Sequence, residues 1–181
     1  MRVIAGELRG RRLTAPRGSA TRPTADRVRE ALFSILGSSV QGARVLDLFA
    51  GSGAMSIEAL SRGALEATLV DSSSAAIGAI RSNLSRLGIA AEVHRQTAAA
   101  FLRRASSDAR QYDLVFLDPP YRDAGALGSE LSSALRPVLA PGARVVAESD
   151  VRAPLELEQF TLIDGRRYGD TTIGIYEHGP R

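Results

Sequence analysis

The residues Asp118-Pro119-Pro120-Tyr121 close the apolar run Leu114-Val115-Phe116-Leu117, and their types suit one kind of chemistry. A planar exocyclic amine is a poor nucleophile because its lone pair is delocalised, so an enzyme that alkylates it must offer acceptors to its two N–H groups. An Asp carboxylate and a backbone carbonyl can do this. The prolines fix φ and bring no N–H to compete, and Tyr121 offers a face on which a ring can stack. The plainer alternative is a strand exit that Pro-Pro merely ends, with Tyr121 over the core edge. A second stretch, Asp47-Leu48-Phe49-Ala50-Gly51-Ser52-Gly53, runs from an apolar strand into a glycine turn. Gly51 and Gly53 allow positive φ and close approach of a ligand, and the following helix start leaves N–H groups unpaired. The third glycine of a dinucleotide fingerprint is replaced by Ser56. Asp47 would repel a pyrophosphate but attract the cationic amino acid part of S-adenosylmethionine. Asp71, at the exit of the next apolar run, can accept ribose hydroxyls; the alternative is a helix cap shared with Ser72 to Ser74. Asp47, Phe49, Ala50, Gly51, Ser52, Gly53, Asp71, Ser72 and Thr97 are therefore the candidate cofactor-binding residues, and Asp118, Pro119, Pro120 and Tyr121 the candidate catalytic ones.

Such groups meet only if the chain folds to bring strand ends together. From residue 43 onward, short fully apolar runs alternate with amphipathic stretches, the pattern of a parallel sheet covered on both faces. Strands are expected at 44–48, 67–70, 91–94, 114–117 and 144–148, with helices at 54–61, 74–87, 97–104 and 128–139. A closing hairpin, 160–167 with 171–177, turns at Tyr168-Gly169-Asp170. Before the sheet, residues 2–13 suggest a short β-hairpin turning near Gly6 or Gly10. After a loop containing Pro16, Gly18 and Pro23, Thr24 caps a helix over 25–36 whose Val28, Leu32, Ile35 and Leu36 share one face. The expected architecture is an α/β, Rossmann-like, mostly parallel seven-stranded sheet with an antiparallel C-terminal hairpin. Residues 1–37 form a basic extension and 38–181 the catalytic domain.

Composition narrows the chemistry. The chain has no cysteine, which excludes disulfides, thiolate metal sites and a Cys nucleophile, and with it the cytosine-C5 type of methyl transfer. His94 and His178 have no spacing that suggests a metal site. No apolar run approaches the ~20 residues needed to span a bilayer, and the N-terminus lacks a signal-peptide core, so a cytoplasmic monomer is the expectation. All 23 basic residues are Arg. Eight lie in the first 29 positions against only Glu7 and Asp26, which gives that segment +6 and leaves −3 for the rest of a chain whose net charge is +3. Base composition of the genome accounts for Arg over Lys but not for the clustering. Guanidinium forks suit phosphates and stack on bases, so Arg2, Arg9, Arg11, Arg12, Arg17 and Arg22 are the candidate RNA contacts. A generic basic tail is the alternative, but the interspersed Val3, Ile4, Leu8 and Leu13 fit a packed hairpin better.

The glycine turn after an acidic strand end, the acidic exit of the second strand and D-P-P-Y after the fourth resemble Rossmann-like S-adenosylmethionine-dependent methyltransferases that act on amino nitrogens. The N-terminal Arg-Val-Ile-Ala-Gly-Glu-Leu-Arg-Gly-Arg-Arg-Leu, then Thr21-Arg22-Pro23-Thr24, and Arg167-Tyr168-Gly169-Asp170-Thr171-Thr172 look like the RsmD family, bacterial small-subunit rRNA guanine-N2 methyltransferases. The resemblance runs from Arg2 to Tyr176. It implies methylation of guanine 966 of 16S ribosomal RNA, in an assembled or assembling small subunit, with S-adenosylmethionine as donor. Two departures stand out. Ser56 occupies a position where relatives often have Gly, and the exit of the third strand, Arg95-Gln96-Thr97-Ala98, has no carboxylate to read the cofactor's adenine. The expected mechanism is direct transfer to a flipped-out guanine, with Asp118 at an ordinary carboxyl pKa of about 3.9. Adenine-N6 methylation of DNA, methylation of a protein glutamine and a non-catalytic RNA-binding assembly role are the rival readings.

Overall fold

The apolar runs fold as expected in a computed structural model that describes residues 1–16, 26–119 and 124–179, with the side chains of 124–126 excepted. The chain order is α1 (Asp26–Leu36), β1 (Arg44–Asp47), α2 (Ala54–Ser61), β2 (Glu66–Asp71), α3 (Ser74–Leu87), β3 (Glu92–Arg95) and α4 (Ala98–Ser107). Then come β4 (Tyr112–Leu117), α5 (Ala124–Leu135), β5 (Leu139–Asp150), β6 (Thr161–Tyr168) and β7 (Thr171–Glu177). The strands form one seven-stranded sheet in the order β3-β2-β1-β4-β5-β7-β6. β1 to β5 are parallel, while β7 runs antiparallel between β5 and β6. This is a Rossmann-like sheet of the class I methyltransferase kind. The strand order reverses between β1 and β4, and in such sheets the crevice beyond the carboxyl ends at that point is where ligands bind.

Alternate strand residues feed two cores. Val45, Leu114, Phe116 and Val146 pack with Leu32 and Phe33 of α1, Ile57 of α2 and Ile80 of α3 on one face. Leu46, Val115, Leu117 and Val145 pack with Phe101 of α4 and Leu131 and Leu135 of α5 on the other. Val3 and Leu13 of the N-terminal extension are buried in the first of these cores. At the end of the sheet away from the crevice, Arg44 grips Asp113 in a bidentate pair, with Nε to Oδ2 and Nη2 to Oδ1 both at 2.9 Å. That pair pins the β1–β4 register from which the crevice is built.

The last helix and strand differ from the sequence expectation. A helix over 128–139 would place Pro137 in its interior, where the missing N–H and the ring disfavour a continuing turn. The helix instead ends at Leu135, Arg136–Val138 forms a 3-10 turn, and the chain enters β5 at Leu139. The N-terminal hairpin is reduced to one antiparallel bridge, Arg2 to Arg12. It is closed by Val3 N–H to the Arg11 carbonyl at 2.9 Å and Leu13 N–H to that of Met1 at 3.0 Å, with both Gly6 and Gly10 at positive φ. The expected Thr24 cap lies outside the described residues.

Candidate active site and its N-terminal latch

β1 ends at Asp47, and the chain turns through Gly51 (φ 54°) and Gly53 (φ 77°) before α2 begins at Ala54. The turn is braced by Ala50 N–H to the Val70 carbonyl at 3.1 Å and Gly53 N–H to that of Ala50 at 2.6 Å. A side chain at Gly53 would meet Leu69 Cδ2 at 2.9 Å, whereas one at Gly51 would meet nothing nearer than the Phe49 carbonyl oxygen at 4.0 Å. Gly53 is thus required by packing and backbone together. Gly51 faces open space, as a backbone site for ligand approach should.

Asp71 joins this turn to the next helix. Its Oδ2 accepts from Gly51 N–H at 2.9 Å and its Oδ1 from Ser73 N–H at 2.8 Å. Ser73 itself caps α3 by accepting from Ala76 N–H. Loop bracing and helix-end support therefore coexist in Asp71. Each carboxylate oxygen has a further lone pair, which leaves capacity for a diol. Gln96 N–H donates to the Asp71 carbonyl at 3.1 Å, which brings the exit of β3 to the same rim. Thr97 is exposed there, and its hydroxyl caps α4 by accepting from Ala100 N–H at 3.3 Å. Ser72 is exposed beside them. Phe49 is half-buried against the second core and Ala50 is buried in the first.

Three carboxylates converge on one face of the sheet end. Asp47 is buried, and its Oδ2 accepts from the Ser56 hydroxyl at 3.0 Å. Ser56, the departure from glycine, is thus absorbed as a hydrogen-bond donor. Burial pushes the Asp47 carboxyl up to about 7; the Ser56 bond opposes this and Asp71 adds to it. Asp118 follows β4 across the switch point, with an exposed side chain and buried Pro119 behind it. Crowding by protein raises its carboxyl above the usual range, and the nearby Glu148 and Asp47 raise it further. Solvent at the exposed side chain tempers this without reversing its direction. The expectation of an ordinary pKa for Asp118 is corrected accordingly. Glu148, which composition did not single out, lies one residue beyond the Leu117–Ala147 pair, level with Asp118. Pro120 and Tyr121 lie outside the described residues.

The N-terminal segment is fastened beside the glycine turn. Glu58 of α2 is fully buried and accepts from Ile4 N–H at 2.7 Å, Ala5 N–H at 3.0 Å and Arg62 Nε at 2.7 Å. It also faces Arg29 Nε of α1 at 3.7 Å. Arg29, equally buried, donates from Nη2 to the Arg2 carbonyl and to Asp26. Ser61 accepts from Leu8 N–H and donates to the Ala5 carbonyl. Gly6 packs so tightly on Ser61 that a Cβ would come within 1.7 Å of the Ser61 carbonyl oxygen. Arg2, Arg9, Arg11 and Arg12 remain exposed on the outer surface of this segment, while Arg17 and Arg22 lie outside the described residues. Arg29, counted with the basic cluster, is spent inside the fold.

Comparison with known proteins agrees with this architecture. Residues 1–177 match the family model described as conserved hypothetical protein 95. The chain is 34% identical over 184 residues to ribosomal RNA small subunit methyltransferase D of Haemophilus influenzae, spanning 98% of this chain and 94% of the relative. It is 42% identical over 123 residues to the protein of the same name in Escherichia coli, spanning 67% of this chain and 61% of that one. A solved structure, a hypothetical protein of Thermus thermophilus, superposes with a TM-score of 0.85 at 31% identity, covering 98% and 99% of the two chains. The chain belongs to this family, the RsmD family, whose named relatives are ribosomal RNA methyltransferases.

Proposed function

We propose that this protein transfers a methyl group from S-adenosylmethionine to the exocyclic N2 of a guanine in 16S ribosomal RNA, guanine 966 by family resemblance, within an assembled or assembling small subunit. The observation that carries this reading is the meeting of a donor turn at the end of β1 with Asp118 at the end of β4, neighbours across the switch point of the sheet. The residues fit the cofactor. Gly51 leaves its backbone open, Asp71 keeps acceptor capacity for a ribose diol, and Asp47 is a buried carboxylate whose ionised form an ammonium group would stabilise. Phe49 lines the turn, and Ser72 and Thr97, exposed on the same rim, would be available to the cofactor's nucleoside part. When bound, S-adenosylmethionine would supply an electrophilic methyl carbon, its bond to sulfur breaking as the bond to the guanine nitrogen forms.

The chain's own part is positioning and proton handling. Asp118 accepts one N–H of the guanine amine, and a carbonyl at Pro119 accepts the other, which sets the nitrogen at the roughly 3–3.5 Å needed for in-line attack. Pro120 stiffens that carbonyl and Tyr121 supports the ring. Attack acidifies the nitrogen. A carboxylate with a raised pKa receives the released proton more readily than an ordinary one, so the Asp118 environment favours completion of the transfer. Ionised Asp118 is the active form, because the protonated acid has one fewer acceptor site for N–H.

Residues 1–37 serve as the RNA-facing extension of the catalytic domain 38–181, with Arg2, Arg9, Arg11 and Arg12 on its exposed surface and Arg17 and Arg22 continuing the series. The protein acts as a cytoplasmic monomer; among the described residues no helix is long and apolar enough to cross a membrane. The test is to incubate purified protein and labelled cofactor with small subunits lacking the modification, then map the labelled base. Label on guanine N2 of 16S RNA is expected. Label on adenine or on protein would overturn the assignment.

A further inference from the structure

The buried face of α3 is apolar at Ile77, Ile80, Leu84 and Leu87, yet it carries Asn83, which is also fully buried. Its side-chain oxygen accepts from Thr14 N–H at 2.9 Å and from Arg86 Nη2 at 2.8 Å. Its side-chain nitrogen donates to the Thr14 carbonyl at 3.0 Å and to the Ser52 carbonyl at 3.0 Å. Those four bonds use both donors and both acceptor positions of the amide, a set that no other side chain of this size can supply. Ser52 stands between the two glycines of the donor turn, and Thr14 belongs to the segment that carries Arg9, Arg11 and Arg12. Arg86 reinforces the joint by donating to the Arg12 carbonyl at 2.7 Å and the Thr14 hydroxyl at 3.3 Å.

We infer that Asn83 is a positioning residue that couples cofactor binding to RNA binding, by clamping the donor turn and the arginine-bearing segment to one another. One buried amide cannot keep all four bonds if either partner shifts, so the turn shape that receives cofactor and the segment position that receives RNA select the same arrangement. Each ligand therefore tightens the other, and by linkage the factor is equal in both directions. The inference rests on the extension being an RNA contact.

The experiment uses the full chain, S-adenosylhomocysteine as an unreactive donor analogue and a 16S RNA fragment containing the target guanine. RNA affinity is measured by fluorescence anisotropy with and without the analogue, and analogue affinity by calorimetry with and without RNA. The native chain should show the same factor both ways, about 5-fold or more, within the range usual for coupled sites. Asn83→Asp keeps the acceptors but loses both donors, and should bring the factor to near unity. Thr14→Pro, at an exposed residue, removes the main-chain N–H that Asn83 accepts and should do the same, which keeps the test decisive if the buried variant does not fold. A residue that only packs would weaken both affinities in parallel and leave the factor unchanged, which would overturn the inference. A native factor below about 2, under the usual range for coupled sites, would also overturn it. Replacing Arg9 and Arg11 by Ala separates the two readings: unchanged RNA affinity sinks the RNA role of the segment, whereas weakened affinity with a native factor of one sinks only the coupling.

Discussion

Glu58→Ala should destabilise the protein far more than an ordinary helix substitution, because a single carboxylate anchors three elements. Its loss leaves the buried Arg29 with only the part-exposed Asp26, 3.1 Å away, in place of two carboxylates, so this step costs at most the ~3–5 kcal/mol of a fully broken buried ion pair. It also strips acceptors from the N–H groups of Ile4 and Ala5, each costing ~1–3 kcal/mol if it stays buried. The extension can instead detach and rehydrate those groups. That exposes Val3 and Leu13, whose burial contributes ~1.5–3 kcal/mol apiece. Either route converges on a loss of about 4 kcal/mol, since the alternatives are not additive. For a chain of this size each kcal/mol moves Tm by about 2–4 °C, so scanning calorimetry should record a fall of about 10 °C. Arg62→Ala, which removes the partly exposed partner at 2.7 Å but leaves Ile4, Ala5 and Arg29 on the carboxylate, should cost clearly less than Glu58→Ala. Adding Arg29→Met to Glu58→Ala should recover part of the loss by removing a buried charge that then has only Asp26 as its counter-ion. A Tm for Glu58→Ala within about 3 °C of the native value, less than ~1 kcal/mol, would refute the view that this carboxylate latches the extension to the donor-site helix.

Replacing Asp118 by Ala or Asn should lower methyl transfer by roughly 10²–10⁴-fold while leaving S-adenosylhomocysteine affinity nearly intact; near-native turnover on undermethylated subunits would remove Asp118 from the site. The native rate should rise with pH through the raised Asp118 pKa as the carboxylate ionises, whereas residual activity of Asp118→Asn should lose that step. Asp47 has a folded pKa of about 7, above its unfolded value of 3.8, so the folded state binds the extra proton. Its contribution to stability is complete at low pH and is lost as pH rises to about 7. Asp47→Asn should therefore flatten the difference in Tm between pH 5 and pH 8, and it should abolish a rise in cofactor affinity over the same interval; identical profiles for both proteins would contradict the burial argument. Replacing Arg9 and Arg11 by Ala should lower the salt slope of RNA binding by about 1.4, or 0.7 for each lost single-strand phosphate contact. An unchanged slope would place the phosphate contacts elsewhere.

Much of the fold was legible because strand and helix were each written in local pattern. The runs leading to Asp47, Asp71 and Leu117 are short and apolar but for Thr68, which suits strands covered on both faces. Glycine pairs and acidic exits mark where those strands deliver the chain to a ligand. The donor turn, Asp71 and Asp118 were found for that reason. The end of α5 is less legible in apolar spacing alone, because Pro137 lacks the N–H that a longer helix needs and the chain passes through a 3-10 turn into β5.

Charge and coupling were another matter. A count of arginines cannot separate Arg29, buried against Glu58, from Arg9 and Arg11 on the surface. The sign that was available is a polar residue in an apolar stripe, as at Glu58 and Asn83, but a stripe does not reveal what lies opposite. The sequence by itself determined the element order, the donor turn and the acceptor Asp, because each follows from dihedral freedom, hydrophobic period and side-chain chemistry within a few residues. Only tertiary structure decided that Glu148 and Asp47 raise the cost of charging Asp118, and that Asn83 joins Thr14 to Ser52. Burial and proximity between distant segments set those properties, and neither quantity exists until the sheet has formed.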